Sequence, residues 1–500
     1  MKPRVASPPS GSGDLAGLLR SARDLTAAGL FASALETALR ALRKAPADAA
    51  AKRLAARLLA RNPEAAGPEW RDEIARLALD PAIDPMMVAP AGWNLLLARW
   101  GSEGAGAADP AALARSLEAD DFALALLGEA YVTRLDAERI LAGIRRWLLL
   151  SGEWPRFPRL VEALTAQAEQ NGGAWLLEPD ERSAIESDPA AAIAATYRPR
   201  PPATGGALLD DPVTGAVADQ YRNWPYPPWK RVTVPPAASI PAEVASVDLG
   251  RPSGLPAAAE MLVAGCGTGR EAALAAWRYP DARITAIDVS ETSIAYAAAR
   301  CREGPPARID FRVLDLNRAA EMGKRFHFIA CSGVLHHLPD PEAGWAALAR
   351  VLEPGGAMRI MVYSEPARVQ VRAAQAVLAD LRGRPVDGDL LREARRRLIA
   401  APSGLVQISI DFYTLQGVHD LLLHPQEESF DVPRIGRALD SLGLELLAFD
   451  LPSPALRARY RWDHPDDPAM RDLDAWAALE RAQPSLFRSM HKFWCRKPAG

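Results

Sequence analysis

The residues best suited to chemistry lie between positions 261 and 288. An apolar run there leads into a turn with Gly265, Gly267 and Gly269, and a second apolar run ends on Asp288. This order indicates a strand, a tight turn, a helix and a second strand that delivers a carboxylate to a ribose. A dinucleotide-binding turn has its third glycine one position later, where this chain has an arginine. The spacing therefore favours a nucleoside cofactor other than NAD.

The turn predicts how such a cofactor is held. Gly265 and Gly267 allow the backbone to approach a ligand closely. The helix that begins near Thr268 directs its free N–H groups at an anionic group. Asp288 is suited to accept hydrogen bonds from ribose hydroxyls, and Asp315, after a third apolar run, from an adenine amino group. A tight turn without a ligand and a helix-capping role for Asp288 are the alternatives.

Strands and helices alternate around this turn, which predicts βαβ units and a parallel sheet. A further helix and two further strands are predicted after residue 430. The predicted strands are 261–264, 284–287, 309–313, 326–331, 357–363, 444–450 and 486–495, and the predicted helices are 269–277, 291–302, 341–352 and 432–442.

Two further segments carry a family resemblance. The run 328–341 contains Val-Leu-His-His-Leu-Pro-Asp-Pro, and the run 348–356 ends in Pro-Gly-Gly. Together with the glycine turn, they resemble the class I S-adenosylmethionine-dependent methyltransferases. The resemblance implies an α/β, doubly wound sheet, mostly parallel with an antiparallel last strand, and S-adenosyl-L-methionine as the cofactor.

The resemblance also implies a set of cofactor-binding residues. Many relatives carry an acid two positions before the first glycine, and this chain has Val263 there, so the usual contact to the methionine amino group is missing. The implied cofactor-binding residues are Gly265, Cys266, Gly267, Thr268, Gly269, Asp288, Val289, Asp315, Leu316, Ser332, Gly333 and Val334.

The catalytic candidates follow the fourth and fifth strands. A sulfonium methyl group is already activated, so the protein mainly has to orient the acceptor. An oxygen or carbon acceptor also needs a base, for which His336 and His337 are the candidates. Adjacent side chains of a strand face opposite ways, so we expect at most one of them to reach the substrate, and we predict no metal site. Tyr363 is a further catalytic candidate, and both Tyr363 and Glu365 are candidate substrate contacts.

Two other segments are candidates for the substrate side. The segment 220–230 is rich in proline and aromatic residues and is predicted to lack regular structure. It is interpreted either as a strap that fixes the helical region to the next domain or as a lid. The candidate lid residues are Tyr221, Asn223, Tyr226 and Trp229. Tyr413, His424 and Glu427 are predicted to roof the acceptor pocket.

The domain organisation follows from changes in composition. We predict a disordered tail (1–13), an α-helical region (14–197), a Pro-rich linker with the aromatic strap (198–250) and the methyltransferase domain (251–500), with a helical insertion at about 365–425. Residues 28–46 resemble one tetratricopeptide repeat, with a generic helical hairpin as the alternative. The arginines between positions 392 and 397 are interpreted as an exposed helix face.

Composition limits the function classes. The net charge of −3 favours neither nucleic acid nor an anionic membrane as partner. No apolar run is long enough for a membrane span, and four scattered cysteines fit a reducing compartment, so we expect a cytoplasmic protein. We predict methyl transfer to a small-molecule, peptide or protein acceptor, with the helical region as a possible docking site for a protein partner. The alternative is a non-catalytic scaffold with a degenerate methyltransferase domain.

Overall fold

The computed structural model describes residues 14–102, 109–189, 191–197, 211–302, 304, 308–401, 409–451 and 454–499. The chain divides into two compact units. The first comprises residues 1–167 and 180–196, and the second comprises residues 168–179 and 197–500. The predicted disordered tail and positions 198–210 of the predicted linker lie outside the described residues.

The first unit is helical. Small residues on its second helix, Ala34, Ala38 and Ala41, are fully buried where the first three helices pack in sequence. A tetratricopeptide repeat in this region stays a prediction. The helices are α1 Leu15–Ala27, α2 Phe31–Lys44, α3 Ala49–Arg61, α4 Arg71–Leu79, α5 Ala89–Ser102, α6 Pro110–Glu118, α7 Asp121–Glu129, α8 Leu135–Ser151, α9 Pro158–Asn171, which continues into the second unit, and α10 Pro179–Ser187.

The second unit contains a seven-stranded sheet among its described residues. Its order is β3-β2-β1-β4-β5-β7-β6, with β1 to β5 parallel and β7 antiparallel to both of its neighbours. The predicted α/β fold with an antiparallel last strand is thereby confirmed. The strands are β1 Glu260–Ala264, β2 Arg283–Asp288, β3 Ile309–Val313, β4 Phe326–Ser332, β5 Leu352–Tyr363, β6 Glu445–Phe449 and β7 Met490–Arg496.

Helices cover both faces of this sheet. Alternate residues of β1 supply the two cores: Leu262 and Ala264 belong to one, and Met261 and Val263 belong to the other. Such burial on both faces explains why the strands are almost continuously apolar. The helices are α11 Pro212–Asn223, α12 Ile240–Val247, α13 Arg270–Arg278, α14 Glu291–Cys301, α15 Pro341–Val351, α16 Val369–Val377, α17 Gly388–Ala400, α18 Leu415–Leu422, α19 Val432–Leu442, α20 Pro454–Asp463 and α21 Leu473–Ala482.

Two expectations differ from the structure. The segment 220–230 is not irregular throughout, because α11 extends to Asn223; Asp211 caps this helix and a proline occupies its first turn. The arginine face of α17 is only partly exposed. Arg392 and Arg395 are buried, because their guanidinium groups donate hydrogen bonds to backbone carbonyls, including that of Phe412.

Candidate active site

The glycine turn connects β1 to α13 and packs closely against its neighbours. All three glycines have positive φ, of 69°, 50° and 83° in chain order. A Cβ on Gly265 would lie 2.4 Å from the side chain of Val334, and one on Gly267 would lie 2.8 Å from the carbonyl oxygen of Tyr226. We expected a Cβ at these positions to meet a ligand. In the structure the absent side chains instead let the protein close around the turn.

Asp288 lies at the end of β2, beside this turn. Its carboxylate accepts hydrogen bonds from the backbone N–H groups of Gly267 (2.7 Å) and Ser290 (2.9 Å). Burial raises its pKa, and the backbone donors oppose that rise. The cap of α14 is Ser290, whose hydroxyl accepts from Ser293 N–H. The carboxylate is thus held at the turn, with acceptor capacity left for a ligand hydroxyl.

The segment after α11 is fastened to the turn. The Thr268 hydroxyl donates to the carbonyl of Pro227 (2.6 Å), and the indole N–H of Trp229 donates to the carbonyl of Thr268 (2.9 Å). The Tyr296 hydroxyl of α14 donates to the carbonyl of Trp229 (2.9 Å). Residues 224–230, called the strap below, therefore cover the turn.

One cavity of about 1230 Å³ extends from the turn to the insertion. The parallel strands β1, β2 and β4 end along its wall, which is where α/β sheets bind ligands. The predicted site residues on its lining are Gly265, Cys266, Gly267, Asp288, Val289, Asp315, Leu316, Ser332, Gly333, Val334, His336, His337, Tyr363, Tyr221 and Tyr226.

Eight predicted site residues are absent from this lining. Thr268 and Trp229 fasten the strap, and Gly269 approaches Ala297. His424 lies behind the cavity wall, where its ring stacks on the ring of His337 with the centroids 3.7 Å apart. Glu427 forms an ion pair with Arg368. The eight residues are Thr268, Gly269, Asn223, Trp229, Glu365, Tyr413, His424 and Glu427.

The lining fits S-adenosylmethionine. The turn, Asp288 and Asp315 supply polar groups for a nucleoside, and Leu314 and Leu316 supply apolar surface for its base. Val263 is fully buried in β1 and offers no charge.

A carboxylate reaches the cavity from a different position. Glu271, in the first turn of α13, lines the wall and accepts a hydrogen bond from the Ser332 hydroxyl (3.0 Å). Sequence reasoning missed this residue, although an acid in the first turn after the glycines was a visible signal.

Two acids and two tyrosines meet at the other end of the cavity. The Tyr221 hydroxyl donates to Asp420 (2.7 Å), and the Tyr226 hydroxyl donates to Asp411 (2.8 Å). Burial raises the pKa of both acids, to about 7 for Asp420. Sequence reasoning missed Asp420, although a lone acid in the apolar helix α18 was a visible signal.

The two histidines occupy a 3-10 turn, Leu335–His337, and not a strand. Because the chain turns there, their rings lie 4.3 Å apart and both line the cavity, where at most one was expected. The backbone N–H of Tyr363 donates to Nδ1 of His336, while Nδ1 of His337 contacts the carbonyl of Gln426 at 2.9 Å. Burial lowers the pKa of both rings, to about 4 for His337. Both are therefore weak bases.

Nitrogen and oxygen atoms of His337, Asp420 and His424 lie within 4.8 Å of one another, a spacing that a metal ion could bridge. However, the hydrogen bonds of these three residues do not leave all of their ligand atoms free to bind a metal. The backbone N–H of Gln426 donates to Nδ1 of His424 (3.1 Å), so the neutral ring carries its proton on Nε2, beside the Tyr221 hydroxyl. The absence of a metal site stays a prediction.

Comparison with known proteins agrees with this geometry. Residues 261–356 match a family model described as a methyltransferase domain. The chain is 35% identical over 263 residues to an uncharacterized protein of Synechococcus sp., covering 49% of this chain and 61% of that protein. It is 36% identical over 99 residues to a ubiquinone biosynthesis O-methyltransferase of Chromobacterium violaceum, covering 19% and 41%. The chain thus spans less than two thirds of either relative.

Among solved structures, PKMT2 from Rickettsia typhi in complex with AdoHcy has a TM-score of 0.38 and 16% identity, covering 52% of this chain and 54% of that chain. Similarity at this level supports no argument about the acceptor. The family match, the sheet order and the glycine turn agree with one another. Residues 261–356 thus belong to a methyltransferase domain on a sheet with the class I fold, and the cofactor of this family is S-adenosylmethionine.

Proposed function

We propose that this protein is an active methyltransferase whose acceptor binds in the cavity between α11 and the insertion. The supporting observation is the continuity of the cavity, which joins Asp288 at the glycine turn to Asp420 and Tyr363 at the far end. An acceptor at that end would lie in the same cavity as the cofactor. Where the strap covers the turn, it would limit the access of water and strengthen polar interactions there.

The residues around the turn have separate roles in this proposal. Asp288 would accept hydrogen bonds from the ribose hydroxyls, and Asp315 one from the adenine amino group. Glu271 would replace the acid that Val263 lacks and would attract the methionine amino group. When bound, the cofactor supplies a methyl group on a positively charged sulfur, so the protein's main contribution is orientation, worth about 7–11 kcal/mol.

The experiment begins with cofactor binding. Isothermal titration should show binding of S-adenosylmethionine and of its demethylated product. Asp288→Ala should weaken both at least about 100-fold, because two hydrogen bonds to a charged acceptor contribute about 3–6 kcal/mol. Asp310→Ala is the matched control, since Asp310 on β3 is exposed and pairs with Arg312.

Turnover is the second measurement. Formation of the demethylated product should require an acceptor, tested with a panel of amines, phenols, carboxylic acids and thiols. Failure of the folded protein to bind the cofactor would refute the proposal. Binding without turnover across the panel would favour the scaffold alternative.

Among the described residues, no helix is both long and apolar enough to span a membrane.

A further inference from the structure

The acceptor end of the cavity contains two carboxylates without a cationic partner. Asp420 is 4% exposed, and Asp411 lines the same cavity. Within the described residues, neither forms an ion pair with a lysine or arginine, and their hydrogen bonds come from hydroxyl groups. Buried carboxylates are normally paired with a cation or protonated. Asp411 and Asp420 therefore have no cation in contact with them, and a positively charged ligand could occupy that position.

The arginine whose charge acts on both acids, Arg368, forms its ion pair with another residue. Arg368 lines the cavity, but its Nε donates to Oε1 of Glu427 at 2.9 Å, and its Nη2 donates to the other oxygen of the same carboxylate. Its guanidinium also lies over the Tyr363 ring, 3.9 Å from the centroid. Two hydrogen bonds to one carboxylate hold Arg368 in that geometry. Arg368 therefore acts on Asp411 and Asp420 only through space, and neither acid has a cation in contact with it.

Aromatic groups surround the two acids. Tyr221 and Tyr226 line the cavity and orient the carboxylates through their hydroxyls. Aromatic rings attract cations through their negative faces, by about 2 kcal/mol or more when the cation is desolvated. Carboxylates and phenol rings on one wall form a site that prefers an organic cation to a neutral or anionic group.

We propose that the methyl acceptor is an amine that binds as its ammonium form between Asp411 and Asp420. This inference rests on the proposed function, because it names the substrate class of the same cavity. The acceptor nitrogen must first lose a proton, which breaks an N–H bond and protonates a carboxylate oxygen of Asp420. The nitrogen lone pair then forms the new N–C bond while the methyl–sulfur bond breaks, and the sulfur departs as a neutral thioether.

A metal ion is the competing cation. The hydrogen bond from Gln426 N–H to Nδ1 of His424 places the proton of that neutral ring on Nε2, so Nε2 cannot donate a lone pair to a metal. The Tyr221 hydroxyl, 3.4 Å from Nε2, contacts both His424 and Asp420. These contacts favour an ammonium group, which needs hydrogen-bond acceptors, over a metal, which needs two free imidazole lone pairs.

The test measures binding without turnover. Ligand-observed saturation-transfer NMR on the full chain, saturated with the demethylated cofactor, would compare n-butylammonium with the neutral isostere n-butanol. We expect n-butylammonium to bind at least about tenfold more tightly. Asp411→Asn and Asp420→Asn should each weaken n-butylammonium about fivefold or more and leave n-butanol unchanged. Asp310→Asn is the control, because Asp310 is an exposed acid that pairs with Arg312 outside the cavity lining.

Each outcome has one meaning. A variant that still binds the demethylated cofactor is folded. If the wild-type protein does not bind the demethylated cofactor, the proposed function is refuted, and the amine proposal is not the part that failed. Equal affinity for n-butylammonium and n-butanol, or no effect of Asp411→Asn and Asp420→Asn, overturns the amine proposal. Submicromolar Zn²⁺ binding that His424→Ala abolishes and that blocks n-butylammonium also overturns it, because the missing cation would then be a metal.

Discussion

Asp420→Asn is expected to stabilise the ligand-free protein increasingly as the pH rises. Burial raises the pKa of Asp420 from 3.8 to about 7, so the folded state holds a proton that the unfolded state has lost. Stability from this proton is present at low pH and is lost as the pH rises through 7. Between pH 5 and 8.5 the ionisation of Asp420 should cost the wild type about 2.5 kcal/mol, and an asparagine avoids that cost.

The assay is thermal unfolding of both proteins at the two pH values. About 2.5 kcal/mol corresponds to a Tm shift of about 5 °C in a domain of a few hundred residues. The Tm difference between Asp420→Asn and wild type should therefore grow by about this amount from pH 5 to pH 8.5. Comparison across pH cancels any constant effect of the amide itself. Asp310→Asn, at an exposed acid, is the control. An equal Tm difference at both pH values would refute the buried-charge reasoning.

Two further variants test the strap and the buried ion pair. Gly267→Ala should displace the strap, because its Cβ would lie 2.8 Å from the carbonyl of Tyr226; we expect faster limited proteolysis there and weaker cofactor binding. Gly323→Ala, also at positive φ but with open space around its Cβ, should show neither change. Arg368→Met should lower the free energy of unfolding by about 3–5 kcal/mol in urea titrations, because the Glu427 carboxylate loses its partner. Adding Glu427→Gln should recover part of the loss, and no recovery would contradict this explanation.

Local patterns were sufficient to predict the seven strands and the helices α13, α14, α15 and α19. The helix over 432–442 has the predicted bounds, because its apolar positions recur with helical spacing and Asp431 caps it. The last strand was predicted too early, at 486, since Leu486 and Phe487 are buried but lie before β7. An apolar run indicates that its residues are buried, but the hydrogen bonds to β5 and β6 determine where the strand begins.

Tertiary contacts account for the features that local sequence patterns did not predict. Arg392 and Arg395 look like a charged surface in sequence, yet they are buried because backbone carbonyls distant in the chain accept their hydrogen bonds. His336 and His337 were treated as strand residues, although the chain turns before them. The residues next to an arginine in sequence do not show which carbonyl groups its guanidinium will contact. They also do not show where a short turn changes the direction of the chain.

The pairing of tyrosines with acids at the acceptor end could not be predicted for the same reason. Tyr221 and Asp420 are 199 positions apart, and Tyr226 and Asp411 are 185 positions apart. The match to the methyltransferase family ends at residue 356, before either acid. The proposed cofactor contacts thus lie within the matched segment, whereas the proposed acceptor contacts come from α11, the strap and the insertion. A relative that shares only the sheet can share the cofactor and still methylate a different acceptor, so the acceptor class has to be argued from the two acids themselves.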